Sequence, residues 1–362
     1  MCFKLLPNQE TLSVDAIIDK MLGSNKSSTQ ILTVLNHCFS GKTVSKEYIQ
    51  HRKLKLQHYR KKLAKLLEIP KIEQRTDEWY AIRNTLITAS EFAQALDKAK
   101  FGTQKQFYKK KCGMEPSINL QSPPLIWGIK YEPVACSIYA KRTGQTIHEF
   151  GLLRHPTIPF FGASPDGITN NGIMLEIKCP YQRSITGDVP LQYYYQMQGQ
   201  LSVCELEECD YVECGIKEVT DMEEMWAELT LECGIIIEQQ GVKTYSPVFG
   251  KGDEENARLW METNSSSNSN TYNPTTSPDD ETENTHTTTE GKEETEPIIT
   301  FWVLKTYNTV RIYRDDKFLQ EQFALLEEVW QKVCEYRQNP SELTARRNTK
   351  DSSKSDYMFL DD

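Results

Sequence analysis

The sequence predicts an α/β protein with a mixed central sheet flanked by helices and an added N-terminal helical segment. Three observations predict it. Between Thr76 and about Asp210, short apolar runs bounded by Gly and Pro alternate irregularly with helical patterns, which suits a mixed sheet better than a doubly wound one. Residues 1–70 carry helical periodicity. Strand-like alternation and then an amphipathic pattern return at 298–340, after a long polar interruption.

In chain order, SVDAIIDKML offers Ser13 as an N-cap ahead of helically spaced apolar residues, and SSTQILTVLNHCF repeats the pattern. The stretch 45–70 spaces Ile49, Leu56, Tyr59, Leu63, Leu66 and Leu67 along one helix side until Pro70 ends it. DEWYAIRNTLITASEFAQAL reads as two short helices around a turn. IWGIKYEPVACSIYAKRTG reads as a helix with Trp127, Tyr131, Val134, Ala135, Ile138 and Tyr139 on its apolar side. TIHEFGLLRH, PFFGASPDGI and IMLEIKCP give strands, LQYYYQMQGQLSVCE a helix and DYVECGIKEV a further strand. IITFWVLKTYNTVRIYR alternates like a strand pair, and DKFLQEQFALLEEVWQKVCEYRQNP follows as an amphipathic helix.

The expected division is a basic helical extension at 1–70, a core at 71–261, a disordered acidic insert at 262–297, strands and a helix completing the core at 298–340, and a flexible tail at 341–362. The insert is too poor in apolar residues to offset the entropy of ordering it.

With 362 residues, 38% of them hydrophobic and 26% charged, the chain can bury a full core. No apolar run approaches the ~18 residues of a spanning helix, and the start lacks the apolar core of a secretory signal. A soluble intracellular protein is expected. The 10 cysteines include no CxxC pair, and the five-residue spacing of Cys204, Cys209 and Cys214 fits no common zinc motif. Buried free thiols in a reducing compartment are expected instead.

The net charge of −9 is unevenly placed. Between Glu262 and Pro297 stand nine acids against one lysine, so the remainder is nearly neutral. Between Lys46 and Lys71 stand nine Lys/Arg against two Glu. That face is suited to tracking phosphates or to staying solvated, and composition does not choose between them.

The chemistry gathers in GASPDGITNNGIMLEIKCP. On a strand, Glu176 and Lys178 project from the same side, while Leu175 and Ile177 face the core. An isolated ExK pair is most often a solvated strand edge. Asp166 changes that balance, because Pro165 and Gly167 put it in a sharp turn with a connection short enough to return it beside Glu176. Two carboxylates suit a hard divalent cation, and a nearby lysine suits an attacking water.

ASPDG followed by LEIKCP resembles the lambda-type exonucleases, also called the YqaJ-like viral recombinase family, within the PD-(D/E)xK nucleases. Three more stretches match in order: RTDEWYAIRNTLITASEF with Arg83 and Ser90, IWGIKYEPVA with Glu132, and YYYQMQGQL with Gln196. The resemblance covers about residues 74–215, with 298–337 similar to the family's C-terminal end. It implies a PD-(D/E)xK restriction-endonuclease-like core and a metal-dependent exonuclease acting on duplex DNA ends, 5′→3′, for viral recombination, repair or genome processing.

It further implies that Glu132, Asp166, Glu176 and the Ile177 carbonyl hold one or two Mg²⁺ or Mn²⁺ ions. Asp166, Glu176 and Lys178 would form the catalytic set, with Lys178 positioning or activating the water. Arg83, Ser90 and Gln196 would gather a 5′-phosphate. His155 stands near the point where the lambda-type member places an additional acid, and is a candidate to orient a metal-bound water or a phosphate. A homo-oligomer, specifically a ring-shaped trimer, and a single-strand annealing or binding partner belong to the same resemblance. A large DNA virus and the cytoplasm or nucleus of an infected cell complete the expectation. Two rivals stand beside it: an endonuclease of the same superfamily, and a catalytically silent DNA-binding scaffold.

Overall fold

A computed structural model describes residues 14–38, 44–74, 76–114, 122–265 and 296–344. The Ser13 cap, residues 266–295 of the expected insert and the tail from 345 onward lie outside the described residues. Two compact units divide the chain. One takes the described residues up to Gly215 and from Thr306 on; the other takes Ile216–Lys305.

The first unit opens with three helices, α1 (Val14–Gly23), α2 (Ser28–Cys38) and α3 (Lys46–Leu67). Ser45 caps α3 by accepting the Tyr48 N–H. Ile18, Ile31, Leu35 and Ile49 close a small core among the three. Next come α4 (Asp77–Asn84), β1 (Ile87–Thr88), a 3₁₀ turn (Ala89–Glu91), α5 (Phe92–Ala95) and α6 (Gln104–Lys111). The helix α7 (Pro123–Thr143) starts with prolines in its first turn, where their missing N–H costs little, and stops at Gly144 in the left-handed region.

Short strands β2 (Ile147–His148), β3 (Leu153–Arg154), β4 (Phe161–Ala163) and β5 (Gly167–Thr169) lead to β6 (Met174–Lys178). Then follow α8 (Leu191–Val203) and β7 (Glu208–Val219). β1, β4 and β3 make a three-stranded sheet, parallel between β1 and β4 and antiparallel between β4 and β3. The larger sheet runs β2-β5-β6-β7, with β5 and β6 antiparallel and β6 and β7 parallel. It is mixed, as the irregular alternation predicts.

In the second unit, β8 (Cys233–Gln239) pairs antiparallel with β9 (Val242–Tyr245) and with the first residues of β10 (Ile298–Tyr313). Met225, Ile235, Ile237, Phe249, Ala257 and Val303 form its core, fed by α9 (Met222–Ala227) and α10 (Glu254–Ser265). The helix α10 carries order four residues into the stretch expected to be disordered. Residues 298–313 form one 16-residue strand, not a pair. β10 neighbours both β7 and β8, so it stays extended along its whole length without a turn. The chain closes with α11 (Asp316–Gln338), capped by Asp315, and α12 (Pro340–Thr344).

Position rather than composition makes β6 the centre of the first unit. Flanked by β5 and β7, it buries Met174 through Ile177 on both faces. The solvated-edge reading of Glu176 and Lys178 therefore fails: Glu176 is 0% exposed. The helix α8 packs closely on β4, α5 and the 3₁₀ turn through Gly199, where a Cβ would meet Phe161, Phe92 and Ala89 at 2.9–3.2 Å. Among the described residues, no helix is long and apolar enough to cross a membrane. Cys179, Cys204, Cys209, Cys214 and Cys233 are buried free thiols.

Candidate active site

The hairpin of β5 and β6 turns at Gly172, whose φ of +76° suits glycine. Its open end sets Gly167 opposite Leu175, which brings Asp166 alongside Glu176 and Ile177. Asp166 Oδ2 accepts the Ile177 N–H at 2.6 Å. From the other side α7 delivers Glu132. Glu132, Asp166, Ile177 and Lys178 line one pocket of about 90 Å³, together with Leu125, Gly128, Ile129 and Cys179.

Glu176 lies in the strand beside this pocket, held by two contacts. Gln200 Nε2 donates to its Oε2 at 2.8 Å, and Lys178 Nζ stands 3.0 Å from its Oε1. Lys178 also lies over the Tyr193 ring, 5.0 Å from its centroid. Burial, then the charges of Glu176 and Glu132, push the Asp166 carboxyl well above its usual range, against the pull of Lys178 and the Ile177 N–H.

A second group of polar side chains sits on α4 and the turn after β1. Arg83 stacks on Trp79 with its guanidinium 4.4 Å from the ring centroid, and its Nη2 reaches Thr88 Oγ1 at 3.3 Å and Ser90 Oγ at 3.4 Å. Behind them buried Glu91 accepts from Thr88 and pairs with Lys110 and Lys111 at 3.0 and 2.7 Å. Burial lowers Lys111 to about 8, although Glu91 opposes the shift. Trp79 Nε1 donates to Ser164 Oγ at 3.4 Å, tying α4 to the ASPDG turn.

The structure therefore gathers Glu132, Asp166, Ile177 and Lys178 around one pocket with Glu176 adjoining, and gathers Arg83 with Ser90. It treats two other residues differently. Gln196 is partly exposed on α8, and the bond to Glu176 comes from Gln200, one turn further on. His155 takes its Nδ1 bonds from the Thr157 and Ile158 N–H groups, so its Nε2 carries the proton and donates to Ser202 Oγ at 2.9 Å. Its ring packs against Phe161 and Phe323, and burial lowers its pKa. Thr88, Ser164, Glu91 and Gln200 are the additions. All four lie inside the quoted motifs, and Gln200 shares a helix face with Gln196, four residues apart.

The donor set suits a hard divalent cation in chemistry and in charge: all its atoms are oxygens, and three carboxylates act on one another with Lys178 as the nearby cation. Buried Gln200 Oε1 finds no donor among the described residues. The acids share this region without converging on a point, since among the described residues no three His, Cys, Asp or Glu side chains are grouped to hold a metal.

Residues 78–207 match the family described as the YqaJ-like viral recombinase domain. Relatives are viral. The chain is 32% identical over 175 residues to an uncharacterized protein of Acanthamoeba polyphaga mimivirus, covering 43% of this chain and 32% of that one. It is 28% identical over 237 residues to a protein of African swine fever virus, covering 53% and 68%. The chain thus spans about a third of the mimivirus relative's length. Among solved structures it is similar to an alkaline exonuclease from Laribacter hongkongensis, at 20% identity and a TM-score of 0.43, covering 74% of this chain and 98% of that one.

Proposed function

We propose that the protein is a metal-dependent exonuclease that hydrolyses duplex DNA from its ends, 5′→3′, leaving 3′ single strands for viral recombination, repair or genome processing. The observation that carries this reading is the shared pocket of Glu132, Asp166, Ile177 and Lys178, with Glu176 beside it, inside a YqaJ-like viral recombinase domain.

Glu132, Asp166, Glu176 and the Ile177 carbonyl would hold Mg²⁺ or Mn²⁺. When bound, the cation stabilises charge on the attacking and leaving oxygens of an in-line displacement. Lys178 orients the attacking water as a hydrogen-bond donor, and its contact with Glu176 fixes the ammonium at that end of β6. Gln200 holds the Glu176 head in place. Arg83 presents a planar fork to a terminal phosphate, with Ser90 and Thr88 adding hydroxyls. Glu91, Lys110 and Lys111 support that corner from behind.

Timed digestion of end-labelled duplexes, with and without a 5′-phosphate, in Mg²⁺ and in EDTA, tests the reading. Release of mononucleotides from phosphorylated 5′ ends in Mg²⁺ alone is expected. Cleavage of covalently closed circles would replace the end-dependent reading with an endonuclease.

A further inference from the structure

We propose that the pocket lined by Lys98, Lys100, Phe101, Arg183, Leu191 and Tyr193 is a subsite for one nucleotide of a single DNA strand, adjoining the Lys178 site. The identity of the strand rests on the nuclease reading; the pocket does not. Its volume is about 220 Å³, below the roughly 300–1,000 Å³ of drug-sized sites. That is room for a base and its sugar, with the phosphates outside beside the exposed lysines.

The lining has the two parts a nucleotide needs. Phe101, Leu191 and Tyr193 offer apolar and aromatic surface for a base, and exposed Lys98 and Lys100 offer charge for the phosphates beside it. Leu191 is 57% exposed, a large apolar side chain at the mouth of a cationic hollow. Arg183 also lines the hollow, with its charge partly answered by Glu213 at 2.7 Å, so the two exposed lysines supply most of its charge for a ligand.

The wall is preorganised. The Lys98 N–H donates to Ala93 O at 2.8 Å after Asp97 turns the chain with a φ of +56°. Gln104 Nε2 donates to Ala95 O at 2.6 Å. The Lys100 N–H donates to Gln192 Oε1 at 3.3 Å, which joins this loop to the first turn of α8. Holding the loop before binding lowers the entropy lost on binding.

Tyr193 connects the pocket to the chemistry. It lines the hollow, and its ring carries the Lys178 ammonium 5.0 Å from the centroid. A strand whose scissile phosphate sits at Lys178 therefore has its adjacent nucleotide within reach of this hollow. The subsite would hold the strand in line for attack and favour single-stranded over paired ends next to the cut.

The test measures binding of a fluorescent single-stranded deoxyoligonucleotide to the full chain in EDTA, by anisotropy across a salt series. Lys98→Gln/Lys100→Gln should weaken binding at least ten-fold and reduce the salt slope by about 1.4, from two phosphate contacts at about 0.7 each. Phe101→Ala should weaken it about ten-fold through lost stacking, and Phe101→Tyr should restore it. Free dAMP should displace the oligonucleotide at concentrations where inorganic phosphate does not.

Variants that bind within two-fold of the unaltered chain with the same salt slope would overturn the subsite. So would inorganic phosphate competing as well as dAMP. Loss of metal-dependent cleavage alongside intact pocket effects would instead fall on the nuclease reading, leaving the subsite standing.

Discussion

Asp19, Glu208 and Asp210 are buried beside Arg52 and Arg311, whereas Glu132, Asp166 and Glu176 meet Lys178. In the first cluster every acid is met by an arginine fork. Arg52 holds Asp19 at 2.7 and 2.6 Å and reaches Glu208, while Arg311 holds Asp210 and Glu208. Tyr139 adds a hydroxyl to Asp210 at 2.7 Å. Burial alone would raise Glu208, but the bonds and charge of Arg52, with Arg311 and Lys55, bring it down to about 2. In the second cluster burial and neighbouring acids push Asp166 up. The difference lies in the partners: arginine forks fasten α1 and α3 to β7 and β10, although burial still raises Asp19, whereas acids gathered near Lys178 that raise one another are what a cation would answer.

The largest expected effect breaks the second cluster. Lys178→Ala and Asp166→Asn should each lower Mg²⁺-dependent cleavage of an end-labelled duplex by about 100-fold or more, the range for lost proton-transfer or metal-assisted groups. Asp166→Asn should also leave the metal-free protein at least as stable in calorimetry, because Asn keeps an acceptor for the Ile177 N–H and removes a buried carboxyl whose charge burial and its acidic neighbours disfavour.

The converse should hold in the first cluster. Arg311→Met leaves Asp210 and Glu208 buried without a full set of partners, at a cost of about 3–5 kcal/mol in urea unfolding. Unfolding against pH sharpens the contrast. Glu208 is depressed below its ordinary value of 4.5, so its stabilisation is full above that value and is lost as pH falls toward about 2. Glu208→Gln should lack that part of the acid slope. Smallest is Gln200→Leu, which removes a bond to a charged group worth about 1.5–3 kcal/mol; a drop in cation affinity, read by titration, checks it.

Much of this layout was legible because the motifs are local. The ASPDG turn and the ExK strand are one hairpin, so spacing alone brings Asp166 back to Glu176. DEWYAIRNTLITASEFAQAL also read correctly as two short helices around a turn, which are α4 and α5. What could not be read depends on distant partners. Period-two patterning does not say whether a strand is central, so the burial of Glu176 was invisible until β7 stood beside β6. Arg52 sat inside a basic run that suited phosphates and solvent equally; its partners Asp19 and Glu208 are 33 and 156 residues away. Gln200 went unread beside the expected Gln196, although both lie on one face of α8. β10 looked like two strands because its alternation carried no signal of the neighbours that hold it straight.

Calorimetric titration of Mn²⁺ into the unaltered protein and into Asp166→Asn tests the central claim most directly, that Glu132, Asp166 and Glu176 form a cation site. The unaltered chain should bind one or two ions and gain thermal stability with them, and Asp166→Asn should bind at least ten-fold more weakly with little gain. Equal binding by the two proteins, or none by the unaltered chain at millimolar Mn²⁺, would contradict it.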